Sequence, residues 1–393
     1  MEFLFTKEQE ELRQEVREVL EKHLKLGHFK VMTDGWSGHR HDEGIKALSK
    51  EMVERGWCGM TWPKEYGGRG KTYLDRLVVT EEWMRYAVVP IWFTGDRQFG
   101  PSIIKFGSKE QKEFFLPKLA RGELTFAIGM SEPEAGSDLA HLRTTAIEKD
   151  DYFLLNGQKV WTSGAADSDY IYLIARTDPS EPGARGVSEF LLDLKLPGIE
   201  VKPIESMNGS REWCEVFFND VKVPKSALTG TKNRGFYQIA EQLDYERAGL
   251  ERIMSNYSLL VDLTKYVKET KRNGKLLCED PLIRHQMAEL TTEFEIGRLL
   301  IYRVAWVLTQ GRVPNIEAAM AKTFGNTFEV KLANMATTII GLPAQLRLGS
   351  PWVPIDGQAC LSYLWSSGYT LQGGTLEILK NVIARRGLGL PRD

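Results

Sequence analysis

Three segments of the sequence combine small residues, hydroxyls and an aromatic ring in ways that suit binding of a flat or anionic ligand. The first, FAIGMSEPEAGSD from Phe126 to Asp138, is a strand pattern that runs into a turn whose backbone amides can hold an anionic or carbonyl-rich ligand. The second, NGQKVWTSG from Asn156 to Gly164, offers an indole and hydroxyls suited to a flat heterocycle. The third, LQGGTLEI from Leu371 to Ile378, opens the last helix, where N-terminal amides can polarise a carbonyl. Each segment alone is equally consistent with an ordinary turn.

The sequence contains no complete motif for the other common chemistries considered below. The stretch from Glu65 to Thr72 looks like a phosphate-binding loop, but that motif requires glycine where Glu65 stands, so we predict a glycine-rich turn between helices. No GxGxxG follows a strand pattern, which argues against a nicotinamide dinucleotide fold, and no HExxH or GxSxG indicates a hydrolase. One polar stretch resembles a metal site, but its neighbouring glycines favour a solvated loop, and we expect no metal. Its residues are His28, His39, His41, Asp42 and Glu43.

Composition indicates a globular protein of two or three domains. The chain has 393 residues, 42% of them hydrophobic, and 51 basic against 53 acidic side chains. This balance argues against nucleic acid as the main partner, because nucleic-acid binding requires a concentrated basic face. The N-terminal residues lack a signal-peptide pattern and the uncharged stretch 357–376 is too rich in glycine to span a bilayer, so we expect a cytoplasmic protein with no membrane segment. Four widely spaced cysteines predict buried thiols in a reducing compartment; they are Cys58, Cys214, Cys278 and Cys360.

The sequence patterns around these segments predict helices, then strands, then helices along the chain. Residues to about 122 carry helical periodicity, with capping boxes at Thr6/Gln9 and Ser108/Gln111. From Leu124 to Pro224 short strand patterns alternate with turn residues, and Asn156-Gly157 predicts a hairpin, so we expect an antiparallel barrel or sandwich. Long helical periods then predict a bundle, over Phe236–Leu243, Ala248–Thr270, Leu282–Gln310 and Ile316–Ile340.

Taken together and in this order, the three segments resemble those of the acyl-CoA dehydrogenases. The resemblance extends over essentially the whole chain, including WPKEYGG from Trp62, DVKVP from Asp220, and NVIARRGLGLP from Asn381. It implies an N-terminal α-helical domain (1–122), a middle antiparallel β-barrel (123–232) and a C-terminal four-helix bundle (233–393). It also implies non-covalent FAD and assembly as a homotetramer or dimer.

The resemblance carries site residues over by position. Those implied to bind FAD are Ile128, Met130, Ser131, Gly136, Ser137, Trp161, Thr162, Ser163, Thr375 and Glu377. Those implied to bind the CoA ester are Ser137, Asp244, Tyr245, Arg247, Gly373 and Gly374. The backbone amide at Gly373 is implied to donate to the thioester carbonyl.

The catalytic base has two placements in the family. One is a Glu directly before Gly-Thr near the C-terminus, where this chain has Gly373, which has no side chain to accept a proton. The other lies on a bundle helix in an Asp-x-Glu-Arg setting, and Leu243-Asp-Tyr-Glu-Arg247 supplies Glu246 there. A carboxylate buried against an acyl chain gains basicity by desolvation, so we predict Glu246 as the base. The competing interpretation is a surface charge beside Arg247 or a structural Glu paired with an arginine.

Some positions depart from the family. Thr270, Asn273 and Pro281 replace residues that in many members reach the FAD of a neighbouring subunit, which leaves the oligomeric state and those contacts open. Similar departures occur in a bacterial branch that acts on cyclic, aromatic-derived or steroid side-chain CoA esters and includes mixed oligomers. A bulky or branched acyl group is therefore favoured. Aromatic residues either line its pocket or belong to the core: Trp92, Phe93, Phe99 and Tyr245.

The resulting prediction is an FAD-dependent acyl-CoA dehydrogenase that forms a trans-2-enoyl-CoA and passes electrons to electron-transferring flavoprotein. Two alternatives stay open. One is a non-catalytic partner subunit of a hetero-oligomeric dehydrogenase, and the other is an acyl-CoA oxidase of the same fold.

Overall fold

A computed structural model describes residues 4–29, 42–247, 249 and 251–391. By backbone contacts the chain divides into two compact units. The bundle unit comprises Met1–Gly35, Thr72–Val89 and Arg247–Asp393, and the sheet unit comprises Trp36–Lys71 and Pro90–Glu246. Each unit therefore contains segments that are distant in sequence.

The described helices and strands follow the predicted order of α, then β, then α, so that prediction is confirmed. The helices are α1 (Lys7–Lys25), α2 (Glu43–Glu54), α3 (Tyr73–Arg85), α4 (Gly100–Phe106), α5 (Lys109–Ala120), α6 (Gly235–Arg247), α7 (Tyr257–Glu269), α8 (Pro281–Thr309), α9 (Asn315–Ile340), α10 (Gln358–Tyr369) and α11 (Leu376–Val382). The strands are β1 (Phe126–Gly129), β2 (Thr145–Glu148), β3 (Tyr152–Lys159), β4 (Tyr170–Arg176), β5 (Val187–Asp193), β6 (Ile199–Ile204), β7 (Trp213–Pro224), β8 (Leu228–Thr229), β9 (Lys271–Arg272) and β10 (Lys275–Leu276).

In the bundle unit, α9 is the central helix. It packs against α8, α10 and α11, while α1 and α3 pack against each other and α3 packs against α8. Local signals fix the helix starts: Thr6 and Gln9 form the predicted capping box of α1, and Asp280 caps α8 with Pro281 at its first position. Asn273 occupies the β9–β10 turn with φ +53°. The start of α8 is therefore set by local sequence signals.

The predicted helix from Ala248 to Thr270 is wrong in its first part. Residues Met254–Asn256 form a 3-10 turn, and α7 begins only at Tyr257. The Ser255 hydroxyl donates to the Arg252 carbonyl at 2.9 Å, which offers that carbonyl a partner outside the regular helical ladder. The apolar periodicity therefore continues across a break in the helix.

In the sheet unit, the strands are ordered β6-β7-β3-β2-β4-β5-β8, and β1 pairs with β4. Most neighbours are antiparallel, as predicted, but β4 pairs parallel with both β1 and β2. β1 and β4 therefore run in the same direction, and the turn that follows β1 carries the rest of the first of the three segments.

The hairpin predicted at Asn156-Gly157 is wrong. Both residues lie inside β3, and the reversal occurs earlier, where Lys149 N–H donates to the Tyr152 carbonyl at 2.8 Å. The pairing of β3 with β7 shifts between Leu155 and Gly157. A side chain at position 157, where φ is +145°, would come within 2.7 Å of the Thr144 backbone, so glycine here permits a bulge and close approach of the strands.

The core of the sheet unit is rich in aromatic side chains. Phe99 stacks on Phe126 with ring centroids 4.7 Å apart, and Trp92 and Phe93 are also buried. The described aromatic residues that were considered for an acyl pocket thus belong to the core. The glycine-rich stretch is the predicted turn, since Lys64–Tyr66 form a single 3-10 turn followed by Gly67 in the left-handed region.

Membrane-spanning helices and metal sites are absent from the described part of the chain. No described helix is both long and apolar enough to cross a bilayer. Within residues 4–29, 42–247, 249 and 251–391, no three His, Cys, Asp or Glu side chains are arranged to hold a metal ion, and His39 and His41 lie outside those ranges. The cysteine prediction is right for Cys58 and Cys214, whereas Cys278 and Cys360 are partly exposed because each lies near a helix start at the surface.

Candidate cofactor and substrate site

The first two segments lie side by side in the sheet unit. Val160 N–H donates to the Ser131 carbonyl at 2.9 Å, and Lys159 Nζ donates to the Met130 carbonyl at 2.9 Å. The end of β1 and the end of β3 therefore leave the sheet together. This pairing brings Met130 and Ser131 beside Trp161, as a shared ligand surface requires.

The turn after β1 is closed by its own backbone. Glu132 and Ala135 exchange two N–H to carbonyl bonds of 3.0 and 3.1 Å, which fixes the reversal. Gly136 and Ser137 follow it and are exposed, while Ile128 and Ser131 are half-buried. An exposed glycine and hydroxyl after a rigid turn leave backbone and side-chain donors available to an anionic ligand.

A buried carboxylate holds this turn from beneath. Glu132 accepts bonds from Lys159 Nζ at 2.8 Å and from the backbone N–H groups of Arg143 and Thr144 at 2.6 and 2.9 Å. Burial raises the pKa of Glu132, but Lys159 and the Arg143 amide outweigh burial and hold this pKa below its usual range. Burial lowers the pKa of Lys159 to about 8, against the opposing effect of Glu132. At neutral pH the two groups form a charged pair.

Trp161 has an unusual backbone at the rim of this surface. Its φ is +59°, which costs energy in a residue with a large side chain, and its indole is 58% exposed with an edge contact to Trp213. Ser163 is also exposed. The left-handed residue turns the chain so that the indole and the Ser163 hydroxyl both face outward, which suits stacking and hydrogen bonding to a flat ring.

Thr162 is oriented differently from its two neighbours. Its side chain is fully buried, and its backbone N–H and carbonyl are both bonded to Cys214, at 3.0 and 3.2 Å. Its hydroxyl is buried and has no hydrogen-bond partner among the described residues, so the contact of Thr162 with a ligand stays a prediction, beside those of the exposed Trp161 and Ser163.

The third segment lies in the bundle unit, between α10 and α11. Thr375 caps α11, with its hydroxyl accepting from Ile378 N–H at 3.3 Å, and Glu377 is exposed in the first turn. Gly373 and Gly374 have φ of +63° and +106°, in the region that favours glycine. The double glycine thus allows the chain to turn sharply into the helix.

Sequence reasoning missed the side chains that hold this loop. Lys322 Nζ donates to the Gln372 carbonyl at 2.5 Å, and Asn326 Nδ2 donates to the Tyr369 carbonyl at 2.6 Å. Both side chains are buried and lie one turn apart on α9. The signal was three polar residues at helical spacing, Lys322, Asn326 and Glu329, on a face otherwise composed of small and apolar residues.

The segment that carries the predicted base lies at the end of α6. The side chains of Asp244, Tyr245, Glu246 and Arg247 fall outside the described part of the structure. Earlier in the helix, Gln238 Nε2 donates to the buried Glu189 carboxyl at 2.6 Å, and Glu241 forms an ion pair with Lys105. These contacts fix the start of α6 in the sheet unit.

The helix–sheet–helix order, with an exposed indole beside a hydroxyl-rich turn, is the arrangement that the resemblance to the acyl-CoA dehydrogenases implies. Comparison with known proteins agrees at the level of the family. The acyl-CoA dehydrogenase N-terminal, middle and C-terminal domain families match residues 6–123, 127–221 and 233–388. The chain belongs to the acyl-CoA dehydrogenase family, whose members are FAD-dependent oxidoreductases acting on CH–CH groups.

Similar proteins cover the whole chain. Acyl-CoA dehydrogenase FadE26 of Mycobacterium tuberculosis is 32% identical, over 100% of this chain and 99% of its own. The structure of the ChsE4–ChsE5 complex from the same organism matches with a TM-score of 0.89 and 30% identity over 100% of both chains. A Tcur3481–Tcur3483 steroid acyl-CoA dehydrogenase matches with a TM-score of 0.87 and 30% identity, again over 100% of both chains.

The residues of the sheet unit fit FAD on their own geometry. The exposed, left-handed Trp161 and the outward Ser163 suit an isoalloxazine ring, and the exposed Gly136–Ser137 backbone suits a pyrophosphate. The rigid, buried support by Glu132 and Lys159 keeps this surface in place before a ligand arrives.

Proposed function

We propose that this protein oxidises an acyl-CoA thioester to a trans-2-enoyl-CoA. The observation that carries the proposal is the Val160 to Ser131 backbone bond, which sets the exposed Trp161 and Ser163 beside the Ser131–Ser137 turn. In the proposal Ile128, Met130, Ser131, Gly136 and Ser137, with Trp161, Thr162 and Ser163, hold FAD, and Thr375 and Glu377 add further contacts. When bound, FAD supplies the acceptor for a hydride from the substrate β-carbon.

The protein residues supply the proton chemistry. Glu246 takes the α-proton onto a carboxylate oxygen, because a carboxylate is the general base that the chain offers at the Asp-x-Glu-Arg position. Negative charge then develops on the thioester oxygen, and the Gly373 N–H donates to that oxygen. A single preorganised donor of this kind is typically worth about 3 kcal/mol of transition-state stabilisation. Asp244, Tyr245, Arg247 and Gly374 complete the proposed binding of the CoA ester.

For the acyl group we propose a bulky or cyclic chain. The resemblance to the bacterial branch for such esters supports this, and one structural neighbour at 30% identity is described as a steroid acyl-CoA dehydrogenase. For the electron acceptor we propose electron-transferring flavoprotein, which is the usual acceptor of the family.

We further propose that the protein works as an oligomer that includes a second, related subunit. One similar structure is itself a complex of two named chains, ChsE4 and ChsE5. In the bundle unit, four large apolar side chains between α9 and α11 are exposed, and large exposed apolar side chains are common where a subunit interface covers them. They are Leu342, Leu348, Trp352 and Leu371.

The first experiment is the visible spectrum of the purified protein, followed by anaerobic titration with straight, branched, cyclic and steroid side-chain acyl-CoA esters. Bleaching of a bound flavin is the expected result, and the ester that bleaches fastest identifies the acyl class. A colourless protein that stays inert with added FAD would contradict catalysis by this chain alone and favour the partner-subunit alternative. Hydrogen peroxide formed in air at the rate of turnover would identify an oxidase.

The role of Glu246 is tested against a second glutamate on the same helix. Glu246→Gln should abolish flavin bleaching while the flavin stays bound. Glu241→Gln removes a carboxylate that pairs with Lys105, and it should leave bleaching unchanged. Equal activity in the two variants would exclude Glu246 as the base.

A further inference from the structure

Lys322 is a fully buried lysine in the middle of α9. Its Nζ donates to the backbone carbonyl of Gln372 at 2.5 Å, a partner 50 residues away in sequence. Burying a lysine amino group is costly, and structures retain such groups when they make short, specific hydrogen bonds. The bond to Gln372 is therefore a built feature of the bundle unit.

The acceptor of this bond belongs to one particular peptide unit. The Gln372 carbonyl and the Gly373 N–H are the two ends of the same planar amide group. The described peptide bonds are trans, so this carbonyl and this N–H point in opposite directions. By fixing the carbonyl, Lys322 fixes the direction of the N–H, which points away from α9.

The flexibility of the loop makes such a fixed point necessary. Gly373 and Gly374 both have positive φ, and glycine allows a peptide unit to rotate at little cost. Asn326, one turn after Lys322 on α9, donates to the Tyr369 carbonyl at 2.6 Å and fixes the start of the same loop. One face of α9 thus holds the loop at two carbonyls three residues apart in sequence.

The hydrogen bond also changes the electronic character of the amide. Hydrogen bonds in a chain polarise one another, so an amide whose carbonyl accepts a strong bond donates more strongly through its N–H. The same contact therefore orients the Gly373 N–H and strengthens it as a donor.

We propose that Lys322 is a positioning residue for the thioester carbonyl: through the Gln372 carbonyl it aims and polarises the Gly373 N–H toward the substrate oxygen. This inference rests on the proposed function, in which the Gly373 N–H receives that oxygen. Lys322 itself does not touch the substrate.

The test compares three proteins with FAD bound: the unaltered chain, Lys322→Met and Lys331→Met. Methionine keeps the length and most of the volume of lysine but cannot donate to Gln372. Lys331 lies on the same helix, where its amino group pairs with Glu289 and Glu293 at 2.6 and 2.7 Å, so its variant controls for loss of a lysine from α9.

The main readout is the carbonyl stretching frequency of a bound product, measured by infrared difference spectroscopy. The probe is the enoyl-CoA product of the ester that bleaches the flavin fastest, labelled with 13C at the thioester carbonyl. In the unaltered protein and in Lys331→Met the frequency should fall on binding. In Lys322→Met the fall in frequency should be less than about half of that in the unaltered protein. Flavin reduction should slow about tenfold, while the dissociation constant of the product should change less than about threefold.

The outcomes separate the two levels of the proposal. No frequency change in the unaltered protein, or no ester that bleaches the flavin, would overturn the proposed function. A normal change in the unaltered protein that persists in full in Lys322→Met would overturn the role of Lys322 alone. If Lys322→Met does not retain FAD, Lys322→Gln is measured instead. The glutamine side chain is too short to reach the Gln372 carbonyl, but its polar amide suits the polar surroundings of the lysine amino group. The same loss of frequency change is expected there.

Discussion

The amino group of Lys159 lies 2.8 Å from the carboxylate of Glu132, in an ion pair whose side chains are 0% and 6% exposed. The pair lies directly beneath the turn that begins at Met130. Lys159 also binds the Met130 carbonyl, so one side chain links the support of the turn to its backbone.

Removal of one partner of this pair should be costly. We expect Glu132→Gln to destabilise the protein by about 3–5 kcal/mol, because it leaves the Lys159 charge buried without its counter-charge. Urea denaturation followed by circular dichroism measures the loss, and flavin retained after gel filtration should fall in parallel. The control is Glu134→Gln, which breaks an exposed pair with Arg143 and should cost less than about 1 kcal/mol. Similar losses in both variants would show that the buried pair contributes no more to the free energy of unfolding than the exposed pair does.

A second buried carboxyl predicts how stability depends on pH. Burial raises the pKa of Glu189 to about 8, although Gln238 and Tyr172 donate to its carboxyl and act in the opposite direction. In the unfolded chain this group titrates near its ordinary pKa of 4.5. Between these values the native state holds a proton that the unfolded state has lost, so Glu189 lowers the free energy of unfolding as pH rises, by at most about 1.4 kcal/mol per pH unit.

Glu189→Gln tests this dependence. Glutamine keeps the shape of a neutral carboxyl, so the variant should lose less stability than the unaltered protein between pH 5 and pH 8, as measured by urea denaturation at each pH. Glu200→Gln, on the exposed part of β6, provides the control and should follow the unaltered protein. Parallel curves for Glu189→Gln and the unaltered protein would contradict a neutral Glu189.

Alanine substitutions at two glycines in the bundle unit distinguish the effect of backbone strain from a loss of function. Gly373 and Gly311 have similar φ values of +63° and +70°, so alanine at either position should destabilise the protein by about 1 kcal/mol. Gly311 lies in the turn after α8, where an added methyl group contacts nothing within 4 Å. Only Gly373→Ala should also slow flavin reduction by an acyl-CoA. Equal reduction rates in the two variants would count against the Gly373 loop as part of the substrate site.

A network of charges holds α1 to α3 in the bundle unit. Glu82 is buried and accepts from Arg13 at 2.8 Å and from Arg17 at 2.7 Å. Burial raises the pKa of Glu82, but the bonds from Arg17 and Arg13 outweigh burial and hold this pKa below its usual range. We expect Glu82→Gln to lower the thermal midpoint and to cost about 3–5 kcal/mol in urea denaturation.

Glu295 supplies the comparison for Glu82. Glu295 is exposed and pairs with Arg298 at 2.8 Å on α8; because Arg298 keeps its second partner, Glu81, Glu295→Gln should cost less than about 1 kcal/mol. If the Glu82 variant unfolds at the same urea concentration as the Glu295 variant, the network does not contribute to holding the helices together.

Much of the local structure was predictable because its determinants are close in sequence. The capping boxes of α1 and α5, the Asp280–Pro281 start of α8 and the Thr375 cap of α11 each join residues no more than three apart. Strand patterns and the three segments proposed to bind ligands were visible for the same reason. The Asn156-Gly157 prediction shows the limit: the pair has hairpin chemistry, but pairing of β3 with β7 continues through it as a bulge.

The order of elements, the helix boundaries with clear caps and the family of the chain can be predicted from the amino-acid sequence. Three features depend on how distant elements pack: α1 and α3 join the C-terminal bundle, Glu132 pairs with Lys159 across 27 residues, and Lys322 binds the Gln372 carbonyl across 50. A charged side chain looks the same in sequence whether it is solvated or buried. Its burial becomes favourable only when folding brings a distant partner within hydrogen-bonding distance, and that distance depends on the packing of whole elements.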